Sequence, residues 1–337
     1  MPIPKINDNL VERLEAKLKI RHTTARSYAS AIRGLFRQLK GDTKFNGTLN
    51  FVTSPKLMRI VTDIPNLSKR KNSANAAIAA LKILGGNAKV LADYRQLMMA
   101  ADKDFQQYLR SGKKKHPFKD GEKEWVAVRN LHKKVARVVS AHSLWKQGEH
   151  LDYPGYRTLM ALVYLRWISM MPVRRLEYAD SRFITREAYR ALSEADRKKG
   201  NWVVTGKEWK WELWNYKTFG TFGHQSLAIP TQMRNTLKRI QPIALSKNAK
   251  GFIFLSTKWG RLSRSSFSIF VKQTFRRYHN KSYTQNTIRA IKVSSAWGKS
   301  IKTLDVLQLS EDMGHSLTTQ LLHYRQNPSD KKTVKKE

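Results

Sequence analysis

The stretch LDVLQLSEDMGHSLTTQLLHY, residues 304–324, is the part of the chain from which the other parts can be interpreted. Leucines one turn apart open a short helix, and Gly314 is the residue type that ends a helix in the left-handed conformation. His315 follows directly, and Ser316 can cap a second helix that carries Tyr324 among its leucines. A tyrosine on such an apolar face is commonly a core residue, so a functional role for Tyr324 depends on what precedes it.

The composition indicates a polyanionic partner. The 337 residues include 64 Lys and Arg against 25 Asp and Glu, which gives a formal net charge of +39. Such a charge repels itself unless a polyanion is bound, and nucleic acid is the obvious counter-charge. No apolar run reaches membrane-spanning length, and the N-terminus lacks the basic start and apolar stretch of a signal peptide. We therefore expect a nucleic-acid-binding protein that works inside a cell, in nucleus or cytoplasm, with no membrane partner.

The residue types that are missing restrict the chemistry. With zero Cys, disulfides, thiol catalysis and cysteine zinc sites are excluded, and the nine histidines show no HExxH spacing. The GxxxxGK[ST] loop that binds nucleotide phosphates is also missing from the sequence. Acidic residues are too few and too scattered to suggest the converging carboxylates of a metal-dependent nuclease. The sequence therefore predicts that any catalysis proceeds without a metal, a nucleotide or another cofactor.

The chain is predicted to have two domains. Residues 1–112 repeat apolar positions at helical spacing with basic residues between them, which predicts a helical DNA-binding domain. Residues 113–124 are polar, charged and interrupted by Gly and Pro, as in a linker. A second domain, 125–325, reads as helical except at 201–230, where apolar and polar residues alternate. Residues 326–337 form a basic tail that we expect to be disordered. The predicted fold class is mainly α with a small antiparallel β-sheet, an α+β fold.

Polar residues that could carry chemistry occur in a definite order in the second domain. Arg174 lies three positions before Glu177, so the two can face each other across one turn. Lys217 stands beside a Gly-containing turn at the end of a predicted strand, and Arg289 follows Asn286 by three positions in a predicted helix. Each is common in purely structural roles, since an Arg near a Glu is usually a structural pair and a hairpin lysine is usually solvated. The order of the residues is the informative feature.

This order, with the histidine and tyrosine of the opening stretch, resembles the catalytic domain of the tyrosine recombinases, also called phage-type integrases. The resemblance covers about residues 125–324, and the N-terminal helical region looks like the core-binding domain of that family. The motif MPVRRLE stands where the family has its first arginine box, YKT fits its hairpin lysine, NTIR its second box, and MGHS and LLHY its last box. By this resemblance the catalytic residues are Arg174, Lys217, Arg289, His315 and Tyr324, with Glu177 and Asn286 beside them, and Arg175 is the neighbour of Arg174.

The resemblance implies a transesterification on DNA. Tyr324 would attack a phosphate to give a 3′-phosphotyrosine and a free 5′ hydroxyl, and this linkage keeps the bond energy available for religation without ATP. A phenol of pKa about 10 is a poor nucleophile at neutral pH, so it needs cations around it. Arg174 and Arg289 would hold the two non-bridging oxygens and stabilise the charge of the transition state, which removes the need for a divalent metal.

The remaining residues have supporting roles in this scheme. His315 would donate to the same phosphate, Glu177 would hold an arginine or histidine in place, and Lys217 would protonate the departing 5′ oxygen. Asn286 departs from the family pattern, which usually has histidine there. Asparagine can donate to a phosphate oxygen but cannot take a proton near neutral pH. Removal of the Tyr324 proton would then fall to His315, to water or to electrostatics alone.

The leading hypothesis is a site-specific DNA recombinase or integrase of a virus or mobile element, acting as a homotetramer on two DNA sites. A type IB topoisomerase or a hairpin telomere resolvase would share the same chemistry without strand exchange between two sites. A DNA-binding protein of the same fold that has lost activity is the rival from another class, and Asn286 is the feature that supports it. The sequence leaves these three alternatives open.

Overall fold

The computed structural model describes residues 9–41, 44–111, 117–297, 303–314, 316 and 319–324. The chain packs as two compact units, Met1–Lys114 and Lys115–Glu337. Part of the predicted linker, at 113–116, lies outside the described residues, and so does the predicted tail at 326–337.

The N-terminal unit is helical in its described part. Its helices are α1 Leu10–Leu18, α2 His22–Lys40, α3 Pro55–Thr62, α4 Leu67–Leu84 and α5 Ala88–Arg110, with a 3₁₀ turn at Asn50–Thr53. Helix α4 is central because alanines occupy most of its buried positions, so neighbouring backbones can approach it closely. Its start is fixed by Asn66, whose side chain accepts a hydrogen bond from the Lys69 main-chain N–H. None of the described Lys and Arg side chains of this unit is buried.

The C-terminal unit contains nine described helices, of which three are short. The long ones are α6 Gly121–Ala141, α7 Tyr153–Met170, α11 Thr231–Lys247, α12 Arg264–His279, α13 Gln285–Trp297 and α14 Thr303–Asp312; the short ones are α8 Arg186–Ala191, α9 Glu194–Arg197 and α10 Phe219–Phe222. Helix α7 is buried on all sides, in agreement with its almost wholly apolar sequence. Within the described residues, no helix has both the length and the hydropathy needed to cross a bilayer.

A four-stranded sheet packs among these helices, in the order β1 Ser181–Thr185, β2 Asn201–Thr205, β3 Lys210–Leu213 and β4 Gln225–Ala228. Strands β2, β3 and β4 pair antiparallel, whereas β1 pairs parallel to β2. The fold class, mainly α with a small sheet, is confirmed, but the sheet is mixed instead of wholly antiparallel. Strands β1 and β2 are joined by a crossover that contains α8 and α9. This crossover brings the chain back to the end of the sheet at which β1 begins, so β2 runs parallel to β1.

An aromatic cluster joins the sheet to α7 and α12. The Trp167 ring of α7 lies 4.7 Å from that of Trp211 on β3 and 5.5 Å from that of Tyr178, in edge-on geometry. Tyr178 stacks in turn on Phe267 of α12 at 5.9 Å. Tyr178 lies on the 3₁₀ turn Glu177–Asp180, so the cluster fixes the segment that directly follows Arg174.

The start of α6 is tied to the end of α12 by Glu124. Its two carboxylate oxygens accept from His279 Nε2 and from Lys281 Nζ, each at 2.6 Å. Nearby, Gly121 lies so close to α13 that an added Cβ would stand 2.6 Å from the Cβ of Ser294. Helices α6 and α13 are therefore packed backbone to backbone, and Glu124 holds the adjoining loop against them.

Acidification is expected to remove the stabilisation that Glu124 provides. Burial alone would raise the pKa of the Glu124 carboxyl, but hydrogen bonds from Lys281 and His279 outweigh it and bring the pKa below its ordinary value of 4.5. A carboxyl with a depressed pKa stabilises the fold above its unfolded pKa and loses that contribution as the pH falls through the folded one. Urea unfolding of the wild type and of Glu124→Gln should differ at about pH 6 and converge as the pH approaches about 3. A difference that stays constant over this range would contradict the assignment.

Candidate active site

Arg174 lies in the loop after α7 and is only 1 % exposed. Its main-chain N–H donates to the Tyr178 hydroxyl at 3.0 Å, and its carbonyl accepts from Gln285 Nε2 at 2.6 Å. The side chain donates through Nη1 to the carbonyl of Asp312, and its guanidinium lies 4.9 Å from the centre of the Tyr216 ring. Both backbone and side chain of Arg174 are thus fixed by groups from distant parts of the unit.

Arg289 on α13 is completely buried, at 0 % exposure. Its Nη1 donates to the carbonyls of Val173 at 2.9 Å and Met313 at 2.8 Å, and its Nε donates to the Tyr324 hydroxyl at 3.2 Å. Gln285 lies one turn earlier on the same face of α13. Together, Gln285 and Arg289 hold the consecutive carbonyls of residues 173 and 174, so α13 positions the first arginine as well as the second.

The end of α14 is where these side chains meet. The last carbonyls of a helix have no partner within it. Here side chains from separate elements satisfy four in succession: Gln225 donates to Glu311, Arg174 to Asp312, Arg289 to Met313 and Thr218 to Gly314. Gly314 has φ +64°, the left-handed helix end that the sequence predicts. The negative end of the helix dipole also favours the two guanidinium groups beside it.

Tyr324 follows this helix end in a short turn. As predicted, the Ser316 hydroxyl accepts from the Thr319 main-chain N–H, at 3.2 Å. The turn that carries the tyrosine, Gln320–Tyr324, is π-helical instead of α-helical. Tyr324 is 6 % exposed and its ring centre lies 5.0 Å from the Arg289 guanidinium. The tyrosine is therefore buried, as a core residue would be, but its hydroxyl is directed at a cation.

The electrostatics of Tyr324 differ from those of the buried Tyr178. Burial raises the pKa of the Tyr324 phenol, but the charges of Arg289 and Arg175 and their hydrogen bonds outweigh burial, and the net pKa is below 10.0. For Tyr178, close by in the core, burial prevails and raises the pKa. Burial also lowers the pKa of Arg289, and the charge of Tyr324 partly compensates. A phenol whose anionic form is favoured is suited to act as a nucleophile.

Glu177 supports both arginines from a buried position. Its main-chain carbonyl accepts from Ser181 Oγ at 3.2 Å and from Asn201 Nδ2 at 3.1 Å, which fixes the 3₁₀ turn. Burial lowers the pKa of Arg174 and that of Arg289, and the Glu177 carboxylate acts in the opposite direction on each. Glu177 thus interacts electrostatically with Arg174, the residue with which the sequence paired it, and also with Arg289.

The sequence predicts Lys217 at the end of a strand. In the structure β3 ends at Leu213, and Lys217 lies in the loop between β3 and β4. Its side chain is exposed. The residues on either side are part of the site, because the Tyr216 ring packs against Arg174 and the Thr218 hydroxyl donates to Gly314 at 2.9 Å. Lys217 therefore stands at the solvent edge of the arginine cluster.

The described contacts do not bring two of the predicted residues, Asn286 and His315, into the cluster. Asn286 is the second residue of α13, and its side chain is exposed, whereas those of Gln285 and Arg289 on the same helix are buried. His315 lies outside the described residues.

Asn201 is a structural residue of the site that sequence reasoning missed. It is 0 % exposed. Its Nδ2 donates to the carbonyls of Glu177 and Asn215, both at 3.1 Å, and its Oδ1 accepts from the main-chain N–H groups of Trp214 and Asn215. One amide thus joins the segment after Arg174 to the start of the Lys217 loop. The available signal was a polar residue at the start of the apolar strand NWVVT. The sequence could not show what Asn201 bonds to, because its partners are main-chain atoms.

The cluster retains unused hydrogen-bonding groups. Within the described residues, Arg174 Nη2 and Arg175 Nε are buried donors without a partner, and Glu177 Oε2 is a buried acceptor without one. Buried donors normally find an acceptor, and planar guanidinium donors suit phosphate oxygens. No three His, Asp or Glu side chains in the described part of the chain lie close enough to hold a metal ion. The arrangement can bind a phosphoryl group beside a buried tyrosine hydroxyl.

No protein-family model matches the chain, and no curated protein matches it significantly.

Proposed function

We propose that the protein is a site-specific DNA recombinase or integrase of a virus or mobile element, which cleaves and rejoins DNA through a 3′-phosphotyrosine. The observation that carries this proposal is the buried contact of the Tyr324 hydroxyl with Arg289 Nε at 3.2 Å, next to the unpartnered Nη2 of Arg174. Burying a phenol against guanidinium groups costs desolvation energy that a purely structural tyrosine has no need to incur. Nucleophilic attack on a phosphodiester uses both features.

The proposed reaction assigns each group a step. Arg174 and Arg289 hold the non-bridging oxygens of the scissile phosphate and stabilise the added charge of the transition state. The Tyr324 hydroxyl gives its proton to His315 or to water, and its oxygen forms a bond to phosphorus as the bond from phosphorus to the 5′ oxygen breaks. Lys217, exposed at the edge of the site, donates the proton that the 5′ oxygen takes up, and the reverse steps rejoin the strand.

Charge and shape support double-stranded DNA as the substrate. The net charge of +39 favours a polyanion. The N-terminal unit has a groove of about 750 Å³ between α2 and α4 whose walls include Arg37, Lys69, Asn72 and Ser73. Basic and small polar side chains of this kind contact DNA phosphates without reading sequence. The proposal includes a homotetramer on two DNA sites, since exchange of both strands of two duplexes needs four tyrosines.

The first experiment is a covalent trapping assay with end-labelled DNA in the presence of EDTA, followed by denaturation in detergent. The wild type should give a labelled band at the size of the protein that protease removes. Tyr324→Phe should lower the yield of this band about 10⁴-fold or more, because the nucleophilic oxygen is gone. Its affinity for the same DNA should be unchanged, since phenylalanine fills the same buried space.

The outcomes separate the candidate functions. A covalent band in Tyr324→Phe would show that another residue is the nucleophile. A wild-type band with relaxation of supercoiled DNA, but no joining between two sites, would indicate a type IB topoisomerase or a hairpin telomere resolvase. No band on intact or nicked substrates, with tight DNA binding retained, would indicate a non-catalytic DNA-binding protein of this fold.

A further inference from the structure

The loop between β3 and β4 is attached to the candidate site on both sides of Lys217. On one side, the centre of the Tyr216 ring lies 4.9 Å from the Arg174 guanidinium. On the other side, the Thr218 hydroxyl donates to the Gly314 carbonyl at 2.9 Å. Arg174 belongs to the proposed phosphate site, and Gly314 belongs to the segment that leads to the proposed nucleophile. The two neighbours of Lys217 therefore connect it to both.

The loop also has internal bonds that keep its shape. The Tyr216 hydroxyl donates to the Gly223 carbonyl, which closes the loop on itself. The Thr218 carbonyl accepts from the main-chain N–H groups of Thr221 and Phe222, each at 3.0 Å, and these bonds lie within the short helix α10. Because such a loop moves as a unit, the bond from the Thr218 side chain affects the position of the whole loop.

Lys217 depends on this attachment because its own side chain is not held. The side chain is exposed, and no group among the described residues forms a hydrogen bond or an ion pair with its ammonium. A lysine ammonium is carried on a flexible stem of four carbons. A general acid acts only when it comes within hydrogen-bonding distance of the atom that takes the proton. The position of Lys217 is therefore set by the main chain on either side of it.

We propose that Thr218 is a positioning residue, which holds Lys217 where it can protonate the departing 5′ oxygen by attaching the loop to Gly314. This inference rests on the proposed function. As the attacking tyrosine oxygen bonds to phosphorus, the 5′ oxygen leaves with the electron pair of its bond and takes a proton from Lys217 Nζ. Thr218 itself neither gains nor loses a proton, and its hydroxyl acts only through the position of the loop.

The test compares two substrates that differ in their need for an acid. One is normal DNA, and the other is a DNA strand that ends in a 3′-(4-nitrophenyl) phosphate at the site mapped by covalent trapping. The 4-nitrophenolate ion is a weak base and leaves without a proton, so its release does not need Lys217. The single-turnover rate of covalent complex formation is measured on both substrates, at saturating protein and near neutral pH.

Thr218→Val removes the hydroxyl and keeps the shape of the side chain. On normal DNA this variant should react about 10- to 100-fold more slowly than the wild type, because a displaced acid loses part of the rate that proton transfer contributes. On the nitrophenyl substrate its rate should stay within about 3-fold of the wild type, since no acid is required there. Thr218→Ser, which retains a hydroxyl, should recover most of the rate on normal DNA.

Two further variants separate this cause from a general disturbance of the loop. Thr221→Val is the matched control, since Thr221 is exposed on α10 in the same loop, and it should react with both substrates like the wild type. In a Lys217→Ala background, Thr218→Val should cause no further loss on normal DNA. Two residues that act through the same step are not additive, so the absence of a further loss would show that Thr218 acts through Lys217.

A second measurement does not depend on cleavage. Hydrogen exchange reports how firmly the loop is attached, since the N–H groups of Phe222 and Gly223 bond to carbonyls within the loop. In Thr218→Val these groups should exchange about 3- to 10-fold faster, the effect of one lost hydrogen bond, and in Thr221→Val at the wild-type rate. Thermal unfolding of each variant is recorded first, and Thr218→Ala takes the place of Thr218→Val if the latter does not fold.

Distinct outcomes overturn the inference and the proposed function. An equal loss on both substrates, or a further loss in the Lys217→Ala background, would place the effect of Thr218 on the arginines or the nucleophile. Either result, like a loop that exchanges no faster in Thr218→Val, overturns the positioning role and leaves the recombinase proposal standing. A wild type that forms no covalent complex on either substrate would overturn the recombinase proposal, and the positioning role with it.

Discussion

Arg289→Lys is expected to abolish DNA cleavage and to lower the free energy of unfolding of the C-terminal unit by about 2–5 kcal/mol. The guanidinium bonds the Val173 and Met313 carbonyls and the Tyr324 hydroxyl from fixed directions. A lysine ammonium is a single point charge on a flexible stem and cannot reach all three acceptors at once. Buried acceptors would then lose their donor, and Tyr324 would lose its position. Urea unfolding and covalent trapping measure the two effects.

The matched control for Arg289→Lys is Arg190→Lys on α8. Arg190 is exposed, so the same exchange of side chains should change the unfolding free energy by no more than about 0.5 kcal/mol and leave cleavage intact. If Arg289→Lys were as stable and as active as this control, the anchoring role of Arg289 would be wrong.

Asn201→Leu is expected to lower the free energy of unfolding by about 2–4 kcal/mol. Leucine has a similar volume but none of the hydrogen bonds. Two of the four partners keep another bond, since the Glu177 carbonyl still accepts from Ser181 and the Asn215 carbonyl from Arg264. The main-chain N–H groups that bond to Asn201 Oδ1 have no such substitute, and their loss sets the size of the effect.

The same variant should also slow cleavage, because Asn201 fixes the base of the loop that carries Lys217. A DNA substrate with sulfur in place of the 5′ bridging oxygen tests this cause, since a thiolate leaves without a proton. The rate defect of Asn201→Leu should be smaller on that substrate than on normal DNA. Ser226→Ala, which removes one hydrogen bond to Glu212 on the same sheet, serves as control and should cleave both substrates like the wild type. An equal defect on both substrates would argue against the loop as the cause.

The sequence predicted the long helices because they have local signals, whereas the four-residue helix α10 was expected to be part of a turn. Apolar spacing marks α1 and α2, an almost wholly apolar run marks α7, and Gly314 marks the end of α14. Strand β1 was missed because its parallel partner β2 follows two intervening helices. Local alternation cannot show such a pairing, and so the mixed sheet was expected to be antiparallel.

For the candidate site, the sequence identified side chains but not what holds them. Arg174, Arg289 and Tyr324 stood out by type and order. Their partners are largely main-chain carbonyls at 173 and 311–314, and any residue type can supply a carbonyl.

The four carbonyls at the end of α14 make this helix end and the two arginines a single cooperative element. Any local opening that carries residues 311–324 away from the body must break the bonds from Gln225, Arg174, Arg289 and Thr218 together. Sub-global openings of this kind involve whole hydrogen-bonded units. The end of α14 therefore cannot leave the body while both arginines keep these carbonyl partners. A molecule opened at this point has lost a carbonyl partner of Arg174 and one of Arg289 in the same step.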